Sequence, residues 1–430
     1  MTDIKAVILA AGTGKRLEPI TVTRPKHLIP VAGKPILQYT IESLKNIGIS
    51  DILLIVGYKK EQITNFFKDG TLFGVNINYI EQKKYLGTAN ATQLAENFIS
   101  NEPFLLIYGD LLMDSRIYQK ILSQSQTEKN IIACKNVENP TKYGVVTVDA
   151  KGYVKKIIEK PLNDSFGNLI NAGVYLFSPS IFTSIEKTPK SSRNEYELTD
   201  AIELFLREGN KMRALNVSDE YWNDIGRPWD ILEANQYFLD KVENENHGVI
   251  EEGVTIHGKT IIGANTIIKS GTYIEGPVYI GENCTIGPNS YIRPYTSLGN
   301  NVRIGNSCEV KNSVVFSRTH ISHLSYLGDS IIGENVNFGA GTIISNVRLD
   351  KKDINMDIKG MSVNSGLKKL GAVIGDNVQL GINSMIMVGK KIGTNSSIGP
   401  GTIVDRDVPN DTIYYVKYKC VNEKFKYKEM

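Results

Sequence analysis

The sequence predicts two architectures in one chain: a doubly wound α/β domain over residues 1–242 and a parallel β-helix over 243–408, followed by a tail at 409–430. Three observations carry this. Apolar runs alternate with helical patterns through the first half, as they do where helices cover both faces of a sheet. An aliphatic residue recurs at every sixth position through most of the second half, a self-similarity that outranks local propensity. Between them lies a polar run, ENENHG. With 430 residues, the chain is long enough for two or three domains at roughly 150 residues each.

Composition narrows the function classes. The chain is 41% hydrophobic and 22% charged, which excludes a disordered or collagen-like polymer. Its 49 Lys+Arg against 46 Asp+Glu leave a net charge of +3; no nucleic-acid partner is indicated, and any anion must be held locally. No apolar run approaches the roughly 18 residues that span a bilayer, and MTDIKAVILAAG lacks a signal-peptide pattern. No membrane association and a cytoplasmic location are expected. Cys134, Cys284, Cys308 and Cys420 are scattered without a CxxC pair, so they are read as reduced and structural.

In the first half, AVILAA, ILLIVGY, FLLIYGD and IIACK read as strands. Pro35–Gly48, Glu61–Lys68 and Thr88–Ser100 read as helices, and a last helix runs from Pro228 to about Val242. Ligands on such a sheet sit beyond the carboxyl ends of its strands. In the second half the register runs from Ile250 through Ile256, Ile262, Ile268, Ile274, Ile280, Ile286, Ile292, Leu298 and Ile304 to Val310. Three six-residue faces make a rung of about 18 residues, each face sending one aliphatic side chain into a shared axial stack. Phe316 and Ile332 are sixteen residues apart, which predicts an insertion; the register resumes through Phe338 and Ile344. A second irregular stretch, 346–371, precedes Ile374, Leu380, Ile386, Ile392, Ile398 and Val404. The Tyr- and Lys-rich tail is expected to close the last rung as a strand or loop.

The strand AVILAA runs into Gly12-Thr13-Gly14-Lys15-Arg16, where glycines let backbone N–H groups approach a phosphate. GxG alone is weak, lacking both the third glycine of a dinucleotide site and the GK[ST] of a P-loop. The longer segment LAAGTGKRLEPITVTRPKHLIPVAGKPIL resembles the signature of sugar-1-phosphate nucleotidylyltransferases. Further matches follow in order: Gln82, Leu86-Gly87-Thr88-Ala89, Tyr108-Gly109-Asp110, Gly144, Glu159-Lys160-Pro161, Asn171-Ala172-Gly173 and Trp222-Asn223-Asp224-Ile225-Gly226. The resemblance implies a Rossmann-like nucleotidyltransferase domain in which Arg16 and Lys26 act on the triphosphate. Ala10, Ala11, Gly12, Thr13, Gly14, Gln82, Gly87 and Thr88 would bind the nucleotide. Tyr108, Gly144, Glu159, Lys160 and Asn171 would hold the sugar phosphate. A sugar phosphate oxygen attacks the nucleotide α-phosphorus and pyrophosphate leaves, so the chemistry is positioning and charge neutralisation. Asp110 and Asp224 are the two carboxylates assigned to Mg²⁺. Asp rather than Asn at 224, with LEPIT, is closer to thymidylyltransferases, which leaves UTP or dTTP open.

In the second half, SHLSYLGDSIIGENVNFGAGTIISN resembles the acetyltransferase site of the bifunctional bacterial enzymes of UDP-N-acetylglucosamine synthesis. His323, Tyr326, Asn337 and Asn346 match, as do Arg293 and Lys311 and, more loosely, Lys352. The resemblance implies a left-handed coil, His323 as catalytic base with Tyr326 and Asn346 beside it, and acetyl-CoA as co-substrate. Arg293, Lys311 and Asn337 would bind an amino-sugar 1-phosphate, and Lys352, Lys368 and Lys369 would meet the CoA phosphates. An imidazole, with an ordinary pKa of about 6.5, suits removal of a proton from an amine near neutrality. A homotrimer is expected by resemblance to left-handed β-helix acyltransferases, which are generally trimers, and the long stretch 346–371 resembles archaeal-type homologues with both domains. The rival expectation is a glucose-1-phosphate thymidylyltransferase or related enzyme whose β-helix only assembles or regulates. A non-catalytic translation-initiation exchange-factor subunit of this two-domain plan is disfavoured by intact Arg16, Lys26, Asp110 and Asp224.

Overall fold

The computed structural model describes residues 4–99, 101–417 and 419. It divides into two compact units, 1–234 and 235–430. The division falls inside the helix Pro228–Asp240, earlier than the expected boundary after Val242. From Asn235 onward that helix bonds within the second unit: Asn235 donates to the Tyr295 carbonyl at 2.8 Å and accepts from the Ser297 hydroxyl at 2.7 Å.

The first unit is built on a mixed sheet. From edge to edge its main path runs Val154–Glu159, Gly144–Val148, Leu169–Phe177, Phe104–Tyr108, Lys5–Ala10, Asp51–Val56, Asn76–Glu81. The last four pair in parallel, whereas Leu169–Phe177 joins Phe104–Tyr108 antiparallel. Strands such as KAVILA read as continuous apolar runs because both faces are covered. Ala6, Ile8 and Ala10 enter one core cluster with Leu37, Ile41 and Leu44 of the helix Ile36–Asn46, while Val7 enters the other with Leu198 and Ile202 of the helix Leu198–Arg207. The predicted helix from Thr88 is shorter than expected: it ends at Gln93 and continues as three-residue turns, Ala95 bonding to Thr92 and Phe98 to Ala95. Its expected end, Ser100, lies outside the described residues.

The second unit is a parallel β-helix whose three faces are sheets of eight, nine and eight strands. Partners lie eighteen residues apart, as in Ile268↔Ile286 and Ile286↔Ile304, and the predicted aliphatic positions fill one axial cluster from Ile262 to Val404. With its hexapeptide pattern this is the left-handed parallel β-helix. Cys284 and Cys308 are buried in the stack, and their thiols donate to the carbonyls of Gly299 and Ile321. Cys134 is also free and buried; Cys420 lies outside the described residues.

The expected insertion before Ile332 is overturned. Val315, not Phe316, is the stack residue, and the steps from Val310 to Val315 and from Leu327 to Ile332 are each one residue short. The rungs there are tightened at two corners. Asn312 and Asp329 adopt left-handed backbone (φ 44° and 51°), and the Asn312 amide donates to Asp329 Oδ1 at 2.7 Å, stacking one corner on the other. The second irregularity is a real insertion, since Ile332 pairs directly with Ile374. It carries an antiparallel hairpin, Asn355–Ile358 with Met361–Asn364. The tail closes the last rung as expected where it is described, Ile413–Tyr414 pairing with Ser397–Ile398. Among the described residues no helix is long and apolar enough to cross a membrane.

Candidate functional site

In the first unit the functional side chains gather where parallel strands end. Lys5–Ala10 leads into Ala11–Gly14, Phe104–Tyr108 into Gly109-Asp110, and Asn76–Glu81 into Gln82. A cleft of about 550 Å³ opens there, lined by Ala11, Gly12, Thr13, Lys26, Gln82, Gly87, Thr88, Tyr108 and Asp110 among the expected residues. Lys15, His27, Tyr85 and Glu195 line it too and were not assigned from sequence. Ala10 is different: its side chain is fully buried in the core beneath the sheet, leaving only its backbone near the cleft.

The glycine loop is held by the chain that follows it. Gly14 has φ 68°, and its carbonyl accepts from Thr21 at 2.9 Å. A Cβ at Gly12 would sit 3.4 Å from Lys26 Cε, so the lysine stem packs on the loop while its ammonium pairs with Asp110. Burial pushes the Asp110 carboxyl up, but Lys26, His27 and Arg16 outweigh it and hold the group below the usual carboxylate range. Trp222–Asp224 pairs antiparallel with Leu111–Met113, setting Asp224 opposite Leu111, and Ile225 N–H donates to the Asp110 carbonyl at 3.1 Å. That brings together two carboxylates far apart in sequence. Burial, and then the charge of Asp110, raise Asp224, against Lys26, Arg16 and Lys160. Arg16 lies flat over Gly226, where a Cβ would stand 2.9 Å from its guanidinium carbon. His27 is driven down to about 3 by burial and then by Lys26, so it is a neutral wall of the site.

On one side of the cleft, the Gln82 amide donates to the Gly87 carbonyl at 3.1 Å and to Asn90 at 3.2 Å. Gly87 has φ 111°, and a Cβ would stand 2.4 Å from the Tyr196 carbonyl, so only glycine lets this loop close. Among the residues expected to hold the sugar phosphate, Glu159 pairs with Gly144 across two strands. A Cβ at Gly144 would meet Glu159 Oε2 at 3.1 Å and Asn171 Cβ at 3.7 Å, which groups all three. The Asn171 amide donates to Tyr175 at 2.6 Å, and Tyr175 to Tyr108 at 3.2 Å. Lys160 lies beside Glu159 at 3.4 Å.

In the coil, Arg293 and Lys311 sit one rung apart on one face, Arg293 N–H bonding to the Val310 carbonyl. Each cation already has a carboxylate: Arg293 pairs with Glu309 at 2.8 Å and Lys311 with Asp329 at 3.3 Å. The Asn346 amide donates to Tyr326 Oη at 3.1 Å and also to Asp329. Burial, then Asp329 and Glu309, raise the Tyr326 phenol, so it stays protonated. His323 is exposed at the corner that precedes Tyr326. Asn337 pairs with His320 on the face whose strand, His320–His323, carries His323, while Tyr326 lies on the adjoining face. Lys352, Lys368 and Lys369 are all exposed on the inserted segment, Lys368 pairing with Asp353 at 2.8 Å. Glu309 and Asp329 were missed from sequence because an acid in a hexapeptide corner looks like any solvated turn residue.

Comparison with known proteins matches both units. The model of the nucleotidyl transferase family matches residues 5–241. The GMPPB C-terminal domain matches 274–388 and the hexapeptide repeat of succinyl-transferase 371–406. Among similar proteins, the bifunctional protein GlmU of Methanocaldococcus jannaschii is 45% identical over 421 residues, covering 98% of this chain and all of that one. A bifunctional sugar-1-phosphate nucleotidylyltransferase/acetyltransferase of Sulfurisphaera tokodaii is 46% identical over 407 residues, 94% of this chain and 98% of its own. Of solved structures, a putative glucose-1-phosphate thymidylyltransferase from Bacillus anthracis aligns with TM-score 0.50 and 30% identity over 56% of this chain and 98% of its own.

Proposed function

The chain belongs to the family of bifunctional sugar-1-phosphate nucleotidylyltransferase/acetyltransferases, and from that premise we propose that it makes UDP-N-acetylglucosamine in two steps. Acetyl-CoA acetylates glucosamine 1-phosphate at the coil, and the product then takes a uridylyl group from UTP at the sheet, releasing pyrophosphate. The observation that carries the reading is the presence, in one chain, of a complete cleft around Lys26 and Asp110 and of the Tyr326–Asn346–Lys311 cluster.

At the sheet, the glycine loop and Arg16 cradle the triphosphate, Gln82 and Gly87 face the base, and Gly144, Glu159 and Asn171 face the sugar. Lys26 neutralises charge on the phosphates once they displace its hold on Asp110, which is electrostatic stabilisation in a preformed setting. Asp110 and Asp224 fit a divalent cation: two adjacent carboxylates, one raised by burial and then by the other's charge, form an oxygen donor set. Two carboxylates suit Mg²⁺, an ion that keeps water and phosphate as its remaining ligands. When bound, Mg²⁺ supplies neutralisation of the triphosphate.

At the coil, the sugar amine forms a bond to the thioester carbonyl carbon while His323 accepts a proton from the nitrogen. The C–S bond then breaks, and the CoA sulfur leaves as thiol with a proton returned to it. Arg293 receives the sugar phosphate by exchanging Glu309 for it, and Lys311 meets it while still held by Asp329. The reading includes a homotrimer with sites completed by a neighbouring coil. It is supported by the stacked, half-exposed Ile343, Met385 and Ile403 on one outer face. A purified preparation given glucosamine 1-phosphate with acetyl-CoA, then UTP or dTTP, tests the whole sequence. Nucleotidyl transfer with no acetylation of any amino-sugar phosphate would favour the assembling-coil alternative.

A further inference from the structure

A buried carboxylate of the coil, Asp329, touches several of the side chains read as acting in acetyl transfer. Asp329 turns a tight corner with φ 51° and is 3% exposed. Its Oδ1 accepts from Asn312 at 2.7 Å, and its Oδ2 accepts from Lys311 at 3.3 Å and from the Asn346 amide. Backbone bonds pin the corner itself, Asp329 N–H to the Lys311 carbonyl at 2.9 Å and Gly371 N–H to the Asp329 carbonyl at 2.8 Å.

The polarity of this network follows from its acceptor. A carboxylate accepts hydrogen bonds and cannot donate them. Asn346 must therefore turn its NH₂ toward Asp329, and that same nitrogen donates to Tyr326 Oη. The Asn346 carbonyl oxygen is left directed away as an acceptor, and the Tyr326 hydroxyl, having accepted from Asn346, has its own hydrogen to donate outward. Gly328 makes room for the arrangement: a Cβ there would stand 2.5 Å from Tyr326 Oη and 2.6 Å from Asn346 Nδ2.

We infer that Asp329 is a positioning residue for acetyl transfer, one that fixes Asn346 as an outward acceptor for an amine N–H, Tyr326 as an outward donor for an oxygen of the reactants, and Lys311 for the sugar phosphate. The inference rests on the acetyl-transfer reading proposed above and deepens it. Asp329 touches no reactant; it acts through the three side chains that do.

Asp329→Asn keeps the shape but can donate to the Asn346 carbonyl, so the Asn346 amide is free to turn over. Asn346→Asp sets two carboxylates against each other. The double variant restores only the 329–346 contact in mirror form, Asn at 329 donating to Asp at 346, which again directs an acceptor outward, while the Tyr326 hydrogen turns inward to the new carboxylate, so recovery is partial. Acetyl transfer to glucosamine 1-phosphate, nucleotidyl transfer and thermal melting are measured on each full-length preparation. Each single variant should lose about 30-fold or more in kcat for acetylation, and the double variant should recover about tenfold over either. Nucleotidyl transfer should match wild type throughout. Recovery is the readout a merely structural role would not give, and it stands even where a single variant folds poorly. Asp329→Asn acetylating within about threefold of wild type, or a double variant no better than the weaker single, would overturn the inference. Wild-type protein that acetylates nothing would instead overturn the reading beneath it.

Discussion

Gly226→Ala offers a clean separation of position from stability. The added methyl would meet the Arg16 guanidinium carbon at 2.9 Å and its nitrogens at 2.8 and 3.0 Å, where ordinary contact begins near 3.4 Å. The difference, 3.4 − 2.9, is a forced displacement of at least 0.5 Å. Arg16 is exposed and long, so it yields without moving backbone, and melting should shift by less than about 1 kcal/mol. A displacement of this size at Arg16, the group proposed to cradle the triphosphate, should cost about tenfold in kcat/KM for nucleotidyl transfer, about 1.4 kcal/mol. Gly87→Ala is the contrasting case: its methyl would stand 2.4 Å from a backbone carbonyl, on a residue at φ 111°. That loop cannot yield, and the variant should lose about 2–4 kcal/mol of stability as well as activity. Steady-state kinetics in the pyrophosphate-release direction with differential scanning calorimetry check both. Gly226→Ala with unchanged kcat/KM, or with a melting loss as large as that of Gly87→Ala, would refute the placement of Arg16.

Other outcomes follow from the same structure. Excess chelator should stop nucleotidyl transfer and leave acetylation intact, measured as pyrophosphate and free thiol respectively, because Asp110 and Asp224, the carboxylates proposed to hold a divalent ion, belong to the sheet. Asn395→Ala should cost about 1–2 kcal/mol by denaturant midpoint; Asn395 sits at φ 60°, accepts from Asn377 at 3.0 Å and donates to Asp411 at 2.9 Å. Ile304→Ala empties a fully buried rung position and should cost about 2–5 kcal/mol on the same measurement.

How far the sequence disclosed this molecule depends on periodicity. Six-residue spacing is set by rung geometry, so Ile262 to Val310 were assigned to the stack correctly, and Ile374 to Val404 again. The two shortened steps escaped because a five-residue step and an insertion both break the count, and only strand pairing tells them apart: Val310 pairs with Leu327 and Val315 with Ile332, seventeen residues on, whereas Ile332 pairs with Ile374. In the first half, the alternation of Ala6, Ile8 and Ala10 with Val7 between two cores is hidden in a uniformly apolar strand. The cleft was legible where glycine and charge punctuate strand ends, as at Gly12, Lys26 and Asp110. Tyr85 and Glu195 were not, since they reach the cleft from loops with no distinguishing pattern. Likewise, Arg293 and Lys311 could be named as cations, but their pairing with Glu309 and Asp329 exists only once rungs stack.

The central claim is that two independent reactions share this chain, and the most direct measurement is a crossed assay of His323→Ala and Asp110→Asn on matched preparations. The account predicts that His323→Ala loses acetyl transfer to glucosamine 1-phosphate while pyrophosphate release proceeds at the wild-type rate, and that Asp110→Asn does the reverse. Loss of both activities in either folded variant, or acetylation undiminished without the imidazole, would contradict it.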